Sequence, residues 1–134
     1  MVIIKNLFII ATLVTVLTGC QSDLGKVVKG NITDNPENID ALNVFVNKVT
    51  MKDKAKITVL GNGIEGQEAE EVLTFNGKEI KVHRTIDDKF IEEFNCSGIQ
   101  VNEEEEGTIV YTLQECSWEE KNQVMDYPLL SVKE

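Results

Sequence analysis

The clearest alternation of apolar and polar positions runs over 70–84, EEVLTF-NG-KEIKVHR. Leu73, Phe75, Ile80 and Val82 share one side of two period-2 runs, and Glu70, Thr74, Glu79, Lys81 and His83 share the other. That pattern predicts a hairpin with one core face and one wet face. Asn76-Gly77 between the runs predicts a two-residue type I′ turn, whose central positions both need positive φ. Such a turn sets Phe75 opposite Lys78, Leu73 opposite Ile80, Glu71 opposite Val82 and Glu70 opposite His83. His83, the single histidine, then belongs to the surface, paired with Glu70.

Upstream, Lys56–Leu60 (KITVL) alternates as a strand until Gly61-Asn62-Gly63 breaks it. Before it, Ile39, Leu42, Phe45/Val46 and Val49 recur at helical spacing. Asn35 as cap, Pro36 at the first helical position and Glu37 at the positive end of the dipole predict a helix over 36–51. Its apolar stripe is a core face.

Downstream, 97–102 and 108–115 alternate. Ile99 and Val101 share a face with Ile109, Tyr111 and Leu113 only if facing residue numbers have an even sum. A sum of 212 pairs Ile99 with Leu113, Val101 with Tyr111, and Cys96 with Cys116. Directly opposed cysteines have Cα atoms about 4.5–5.5 Å apart, within reach of a disulfide. No nearby His or third Cys completes a zinc site, so no metal is expected there.

These elements predict an α+β fold: one N-terminal amphipathic helix packed on a mostly antiparallel sheet of four to five strands, with a disulfide-stapled C-terminal hairpin. The domain is placed at 31–117. The tail 118–134 docks through Trp118, Tyr127 and Leu129-Leu130, or hangs free.

The first residues have a different logic. Lys5 precedes an apolar run from Leu7 to Leu17, and no acid occurs before Asp23. The run falls short of the ~20 residues of a spanning helix and fits the apolar region of a secretory leader, placed at 1–19. Leu17-Thr18-Gly19-Cys20 looks like a bacterial lipobox. Small residues admit a peptidase between Gly19 and Cys20, and the Cys20 thiol accepts a diacylglyceryl group. Two acyl chains suffice for stable anchoring to a bilayer. The expected location is the outer face of the cell membrane, with polar 20–30 (QSDLGKVVKG after Cys20) as a flexible tether. Secretion also favours oxidation of the cysteine pair.

Charge narrows the partners. The 134 residues carry a net −10, which becomes −11 on loss of Lys5 with the leader. A strongly acidic chain excludes nucleic acid, which needs a positive field. Glu103, Glu104, Glu105 and Glu106, followed by Gly107, are expected as the solvated loop tip of the second hairpin. Capture of a basic partner is the sharper role for these four carboxylates. A straight Glu run does not converge on calcium. There is no G-x-S-x-G, P-loop, dinucleotide glycine motif or H-E-x-x-H. Asp87-Asp88 and Glu92-Glu93 are adjacent acids without a stated convergence.

Taken in order, the lipobox, GNIT before a helix, Ile64-Glu65-Gly66, FNGKEIKV (Phe75–Val82), Asp87–Phe90, Cys96 to Ile99 and Gly107 to Cys116 resemble a known family. It is the small Gram-positive lipoproteins carrying the domain of unknown function DUF 4362. The resemblance spans about residues 26–117. Where that family has Asp-Gly and Asp-Pro, this chain has Asn76-Gly77 and Gln67-Glu68. The resemblance implies a secreted, lipid-anchored protein and brings no activity, cofactor or catalytic residue. The function expected is a non-enzymatic binding module of the envelope, its partner an envelope protein or wall ligand. The alternatives are an envelope enzyme using Asp87/Asp88 or His83, and an inhibitor or immunity-type lipoprotein blocking a basic site with Glu103, Glu104, Glu105 and Glu106.

Overall fold

The computed structural model describes residues 22–29, 36–62 and 65–133. The leader, Gly19 and Cys20 of the lipobox, and the proposed helix cap Asn35 lie outside them. The architecture is mostly β, with 67% of the described residues in strands and 14% helical. Among the described residues one helix, α1 (Ile39–Thr50), accompanies β1 (Ser22–Val28), β2 (Ala55–Asn62), β3 (Glu68–Phe75), β4 (Ile80–Ile86), β5 (Lys89–Cys96), β6 (Gly98–Glu104), β7 (Thr108–Trp118) and β8 (Lys121–Lys133). A single 3-10 turn, Glu105–Gly107, joins β6 to β7.

These strands form one curled, half-barrel sheet in the order β1-β2-β3-β4-β5-β7-β6, with β8 on β7. The expected α+β arrangement of a helix on four to five strands is therefore wrong. Helix α1 touches β1 and β2 at one end of the path and β6 at the other, so the sheet wraps around it. The Tyr111 hydroxyl on β7 donates to Asn43 Oδ1 on α1 at 2.6 Å.

Three strands account for the error: β1, β5 and β8. Strand β5 lies between the two expected hairpins, and its alternation is broken by a bulge at Ile91 against β4. The segment assigned to the tether is β1, parallel to β2. Its Gly25, at φ 88°, makes a bulge closed by its own N–H on Asp23 Oδ1 (3.0 Å). The extra residue breaks the alternation that would announce a strand. The tail is β8, whose Leu129 and Leu130 are buried, and whose alternation is likewise broken by bulges against β7.

Helix α1 begins after 36–38, because Glu37 makes a two-bond bridge with Val28 of β1. Asn38 takes the cap position in a left-handed conformation and donates its side-chain amide to the Lys26 carbonyl (3.1 Å). Leu42 and Phe45 are fully buried, as the stripe requires.

The inner face runs through Ile57 and Val59, Leu73 and Phe75, Ile80 and Val82, then Phe94, Tyr111 and Leu113. Membership of the first hairpin's core face matches its alternation; its register does not. Phe75 pairs with Ile80 and Leu73 with Val82 around a four-residue loop. Asn76 Oδ1 accepts the backbone N–H groups of Lys78 and Glu79 (2.8 and 2.9 Å), and that Asx turn displaces the two-residue alternative. The true two-residue turn with positive φ at both positions is Asp87-Asp88 (φ 49° and 65°), between β4 and β5.

The second hairpin has the register of its sequence: Ile99 faces Leu113 and Val101 faces Tyr111. Its loop is shorter than expected. Glu103 and Glu104 are not loop residues but the last pairs of β6, facing Ile109 and Thr108. Glu105 is not in an open loop either. It starts the 3-10 turn, and Glu106 follows in a left-handed conformation (φ 64°). The reversal is thus confined to Glu105, Glu106 and Gly107, because the β6–β7 ladder continues through two of the four glutamates.

Cys96 and Cys116 are disulfide-bonded, with Cα atoms 3.9 Å apart. Asn95 pairs with Ser117 in that same register, although β5 and β6 are separate strands. Both chains kink at one level. Ser97 donates its N–H to the Gln114 carbonyl, and Glu115 sits at φ 49° with its N–H on Asp126 Oδ1. Each kink inserts a residue, so the pairing survives and both cysteines turn inward.

Candidate functional site

Strand β5 pairs with β4 along its length but meets β7 only at Asn95–Ser117. From that point β5 and the β7–β8 turn diverge. A cleft of about 500 Å³ lies between them, lined by 90–93 and Asn95 on one side and 117–121 on the other. Its apolar wall is unusual for surface strands: Phe90 is 60% exposed and Ile91 49%.

A row of charges beside the cleft, which it meets at Glu92, is built from alternation. Glu71 continues the inward series of Leu73 and Phe75, Arg84 that of Ile80 and Val82, and Glu92 that of Phe94. Register then sets Glu71 beside Arg84 and Arg84 beside Glu92 across three strands. Arg84 Nη1 donates to Glu92 Oε1, and Arg84 Nε stands 4.0 Å from Glu71 Oε2. Lys29 reaches from the end of β1 to donate to Glu71 Oε1 at 3.0 Å. Glu71 is only 4% exposed, so its charge depends on these two cations.

Trp118 closes the row. Its indole N–H donates to Glu92 Oε2 at 3.1 Å, and its ring stacks on Phe94 with centroids 4.5 Å apart. Tyr127 of β8 packs against Phe94, beneath the Arg84 guanidinium, 5.9 Å from its ring centre. Burial, together with the neighbouring Glu71 carboxylate, pushes the Tyr127 phenol up to about 12. Burial opposes the Arg84 charge, but Glu92, Tyr127 and Glu71 outweigh it and hold the guanidinium above its ordinary value. The result is a fixed indole at the mouth of the cleft. Lys121 Nζ lies 5.8 Å from the centre of its ring.

On the outer face His83 pairs with Glu93, Nδ1 to Oε2 at 3.0 Å, rather than with Glu70. Its ring lies 5.1 Å from that of Phe90. The hydrogen bond from His83, opposed by a little burial and aided by Lys81, lowers the Glu93 pKa.

The sequence-level candidates separate. Asp87 anchors its turn by accepting the Glu68 N–H on Oδ1 at 2.9 Å. Glu92 and Glu93 point to opposite faces, as neighbours in a strand must. Glu103, Glu104, Glu105 and Glu106 are all exposed, with no ion-pair partner among the described residues. Divided between the end of β6 and the 3-10 turn, they line no part of the cleft. Cys96 and Cys116 are buried in their disulfide. Among the described residues no group of three or more His, Cys, Asp or Glu is arranged to hold a metal, and no helix is long and apolar enough to cross a membrane.

Sequence reasoning does not find the cleft. Its signals are present separately: Phe90-Ile91 beside Glu92-Glu93, and Trp118 beside Glu119-Glu120. Only the fold brings them together. Comparison of the chain with family models, with curated proteins and with solved structures finds no match.

Proposed function

We propose that this chain is a non-enzymatic binding module held at the outer face of a cell membrane by a diacylglyceryl thioether on Cys20. The observation that carries the binding role is the cleft between β5 and the β7–β8 turn, with exposed apolar side chains and a rigidly held indole at its mouth. Surface concavities with an apolar wall and a few placed polar groups are the usual sites of recognition. The anchoring role rests on the lipobox, and the buried disulfide supports it, since such bonds persist in oxidising compartments. The motif order from lipobox to Cys116 remains the whole case for kinship with the DUF 4362 lipoproteins.

Strand β1 starts at Ser22, two residues after Cys20. Two residues span at most about 7 Å. A lipid on Cys20 would hold the β1 edge of the sheet against the bilayer, without the slack of a ten-residue tether.

The test is fractionation of cells expressing the full chain or Cys20→Ser, each carrying a photoreactive residue at position 90 or, as a control, at exposed position 44. The expected result is membrane partition of the parent only, and discrete adducts from position 90 only. Equal partition of Cys20→Ser would refute the anchor, and equal adducts from both positions would refute the cleft.

One observation favours a second reading, the inhibitor role. Glu103, Glu104, Glu105 and Glu106 are four exposed carboxylates at one projecting end of the β6–β7 hairpin. It predicts loss of partner binding on neutralising those four.

A further inference from the structure

We propose that the cleft takes an extended peptide segment bearing Lys or Arg side chains, which adds as a strand to the open edge of β5. The proposal deepens the binding-module reading and rests on it.

The backbone makes the first case. Over residues 89–94, β5 has β4 on one edge and no strand on the other among the described residues. An unpaired edge presents alternating N–H and C=O groups, which an incoming extended segment satisfies by β-augmentation. The cleft runs alongside that edge. Exposed Phe90 and Ile91 offer apolar contact to the alternate side chains of such a segment.

Charge makes the second. The lining holds Glu92, Glu93, Glu119 and Glu120 against a single cation, Lys121. Glu92 and Glu93 are already paired with Arg84, His83 and Lys81, whereas Glu119 and Glu120 have no ion-pair partner among the described residues. The Trp118 ring has a cation near its face, Lys121, at 5.8 Å. An incoming Lys or Arg can take that place, flanked by Glu119 and Glu120.

An unpartnered group makes the third. Asn95 lines the cleft, and its Oδ1 is buried without a hydrogen-bond donor. A buried acceptor left alone costs free energy that a donor-rich ligand recovers. An ammonium, a guanidinium or a peptide N–H supplies that donor; a carboxylate does not.

Trp118 is the sole tryptophan, so its emission reports the cleft directly. The full chain in non-ionic detergent is titrated at about 0.15 M ionic strength, where the Debye length is about 8 Å, with a ten-residue peptide alternating lysine and valine. Parallel titrations use its backbone N-methylated form, an alternating glutamate–valine peptide, and lysine amide. The lysine–valine peptide is expected to shift Trp118 emission saturably. Glu119→Gln with Glu120→Gln should weaken it about tenfold, by loss of the opposing charges. Neutralising 103–106 should change it by less than about twofold, since exposed charges beyond a Debye length are screened. The N-methylated form should bind at least tenfold more weakly, because it cannot donate to the strand edge. Both turn glutamates are exposed, and unchanged emission of the free variant shows intact packing.

A silent Trp118, equal binding of the acidic peptide, equal binding of lysine amide, or loss of binding in the 103–106 variant alone would each overturn the proposal. None of these bears on attachment through Cys20, which membrane partition reads separately.

Discussion

Trp118 and Glu92, 26 residues apart, are joined by an indole N–H···Oε2 hydrogen bond of 3.1 Å, while the other Glu92 oxygen holds Arg84. One carboxylate thereby ties the C-terminal hairpin to the charge row inside the sheet. Glu92→Gln keeps the shape and loses the charge. It should cost about 1.5–3 kcal/mol, the range for hydrogen bonds to charged groups, read as a lower urea midpoint. Trp118 emission should move to longer wavelength as the ring loses its anchor.

Arg84 serves two carboxylates, Glu71 and Glu92. Arg84→Met removes the ion partner of Glu92 and leaves the almost fully buried Glu71 to Lys29 alone. The expected loss is about 1.5–3 kcal/mol, the range for hydrogen bonds to charged groups. Adding Glu71→Leu should restore part of it, because an apolar pair of similar volume no longer buries a carboxylate that Lys29 alone must balance. Urea melts of both single variants and the double variant measure this coupling.

Tyr127 gives the protein an alkaline limit. Its folded-state pKa, about 12, lies above the ordinary 10.0. The stability it contributes is fully present below pH 10 and is lost as pH rises through about 12, because the unfolded chain ionises first. Tyr127→Phe should flatten the fall of the urea midpoint over that window relative to the parent.

Glu93 works in the opposite sense. Its pKa is lowered from 4.5, chiefly by the hydrogen bond from His83. Its stabilisation is present above pH 4.5 and disappears as pH falls through the depressed value. Because the carboxylate is exposed, Glu93→Gln should alter the acid limb of the stability profile only slightly.

The disulfide encloses a separation of 20 residues. In the chain-entropy model its reduction should cost about 3 kcal/mol. Melts with and without reductant give that value, and alkylation confirms that Cys96 and Cys116 were released.

Local pattern foretold the inner face well and the sheet's extent poorly. Leu73, Phe75, Ile80 and Val82 were legible because strict alternation survives a change of loop length by two residues. The facing of Ile99 with Leu113 was legible from the unbroken alternation of β6 and β7, and that of Cys96 with Cys116 because the kinks at Ser97 and Glu115 cancel. The first hairpin's register was not, since it depended on which bonds the Asn76 side chain chose. The second hairpin's loop was drawn too long, because charge alone does not stop a ladder: Glu103 and Glu104 stay paired and Glu105 begins the turn. Strands β1, β5 and β8 were hidden by bulges, at Gly25 in β1, at Ile91 in β5 and against β7 in β8. The cleft could not be read at all. It is a failure of two strands, distant in sequence, to stay paired beyond Asn95 and Ser117. The charge row has a signal in the sequence: Glu71 and Arg84 fall on the apolar side of their own alternation.

Amide hydrogen exchange along residues 89–94 tests the open strand edge most directly. The account predicts two classes of amide in the free protein, slow at those bonded to β4 and fast at those turned to the cleft, their alternation interrupted by the bulge at Ile91, with the fast set slowed by the lysine–valine peptide. Uniform protection of these amides without peptide would mean that the edge is already covered, and would contradict the account.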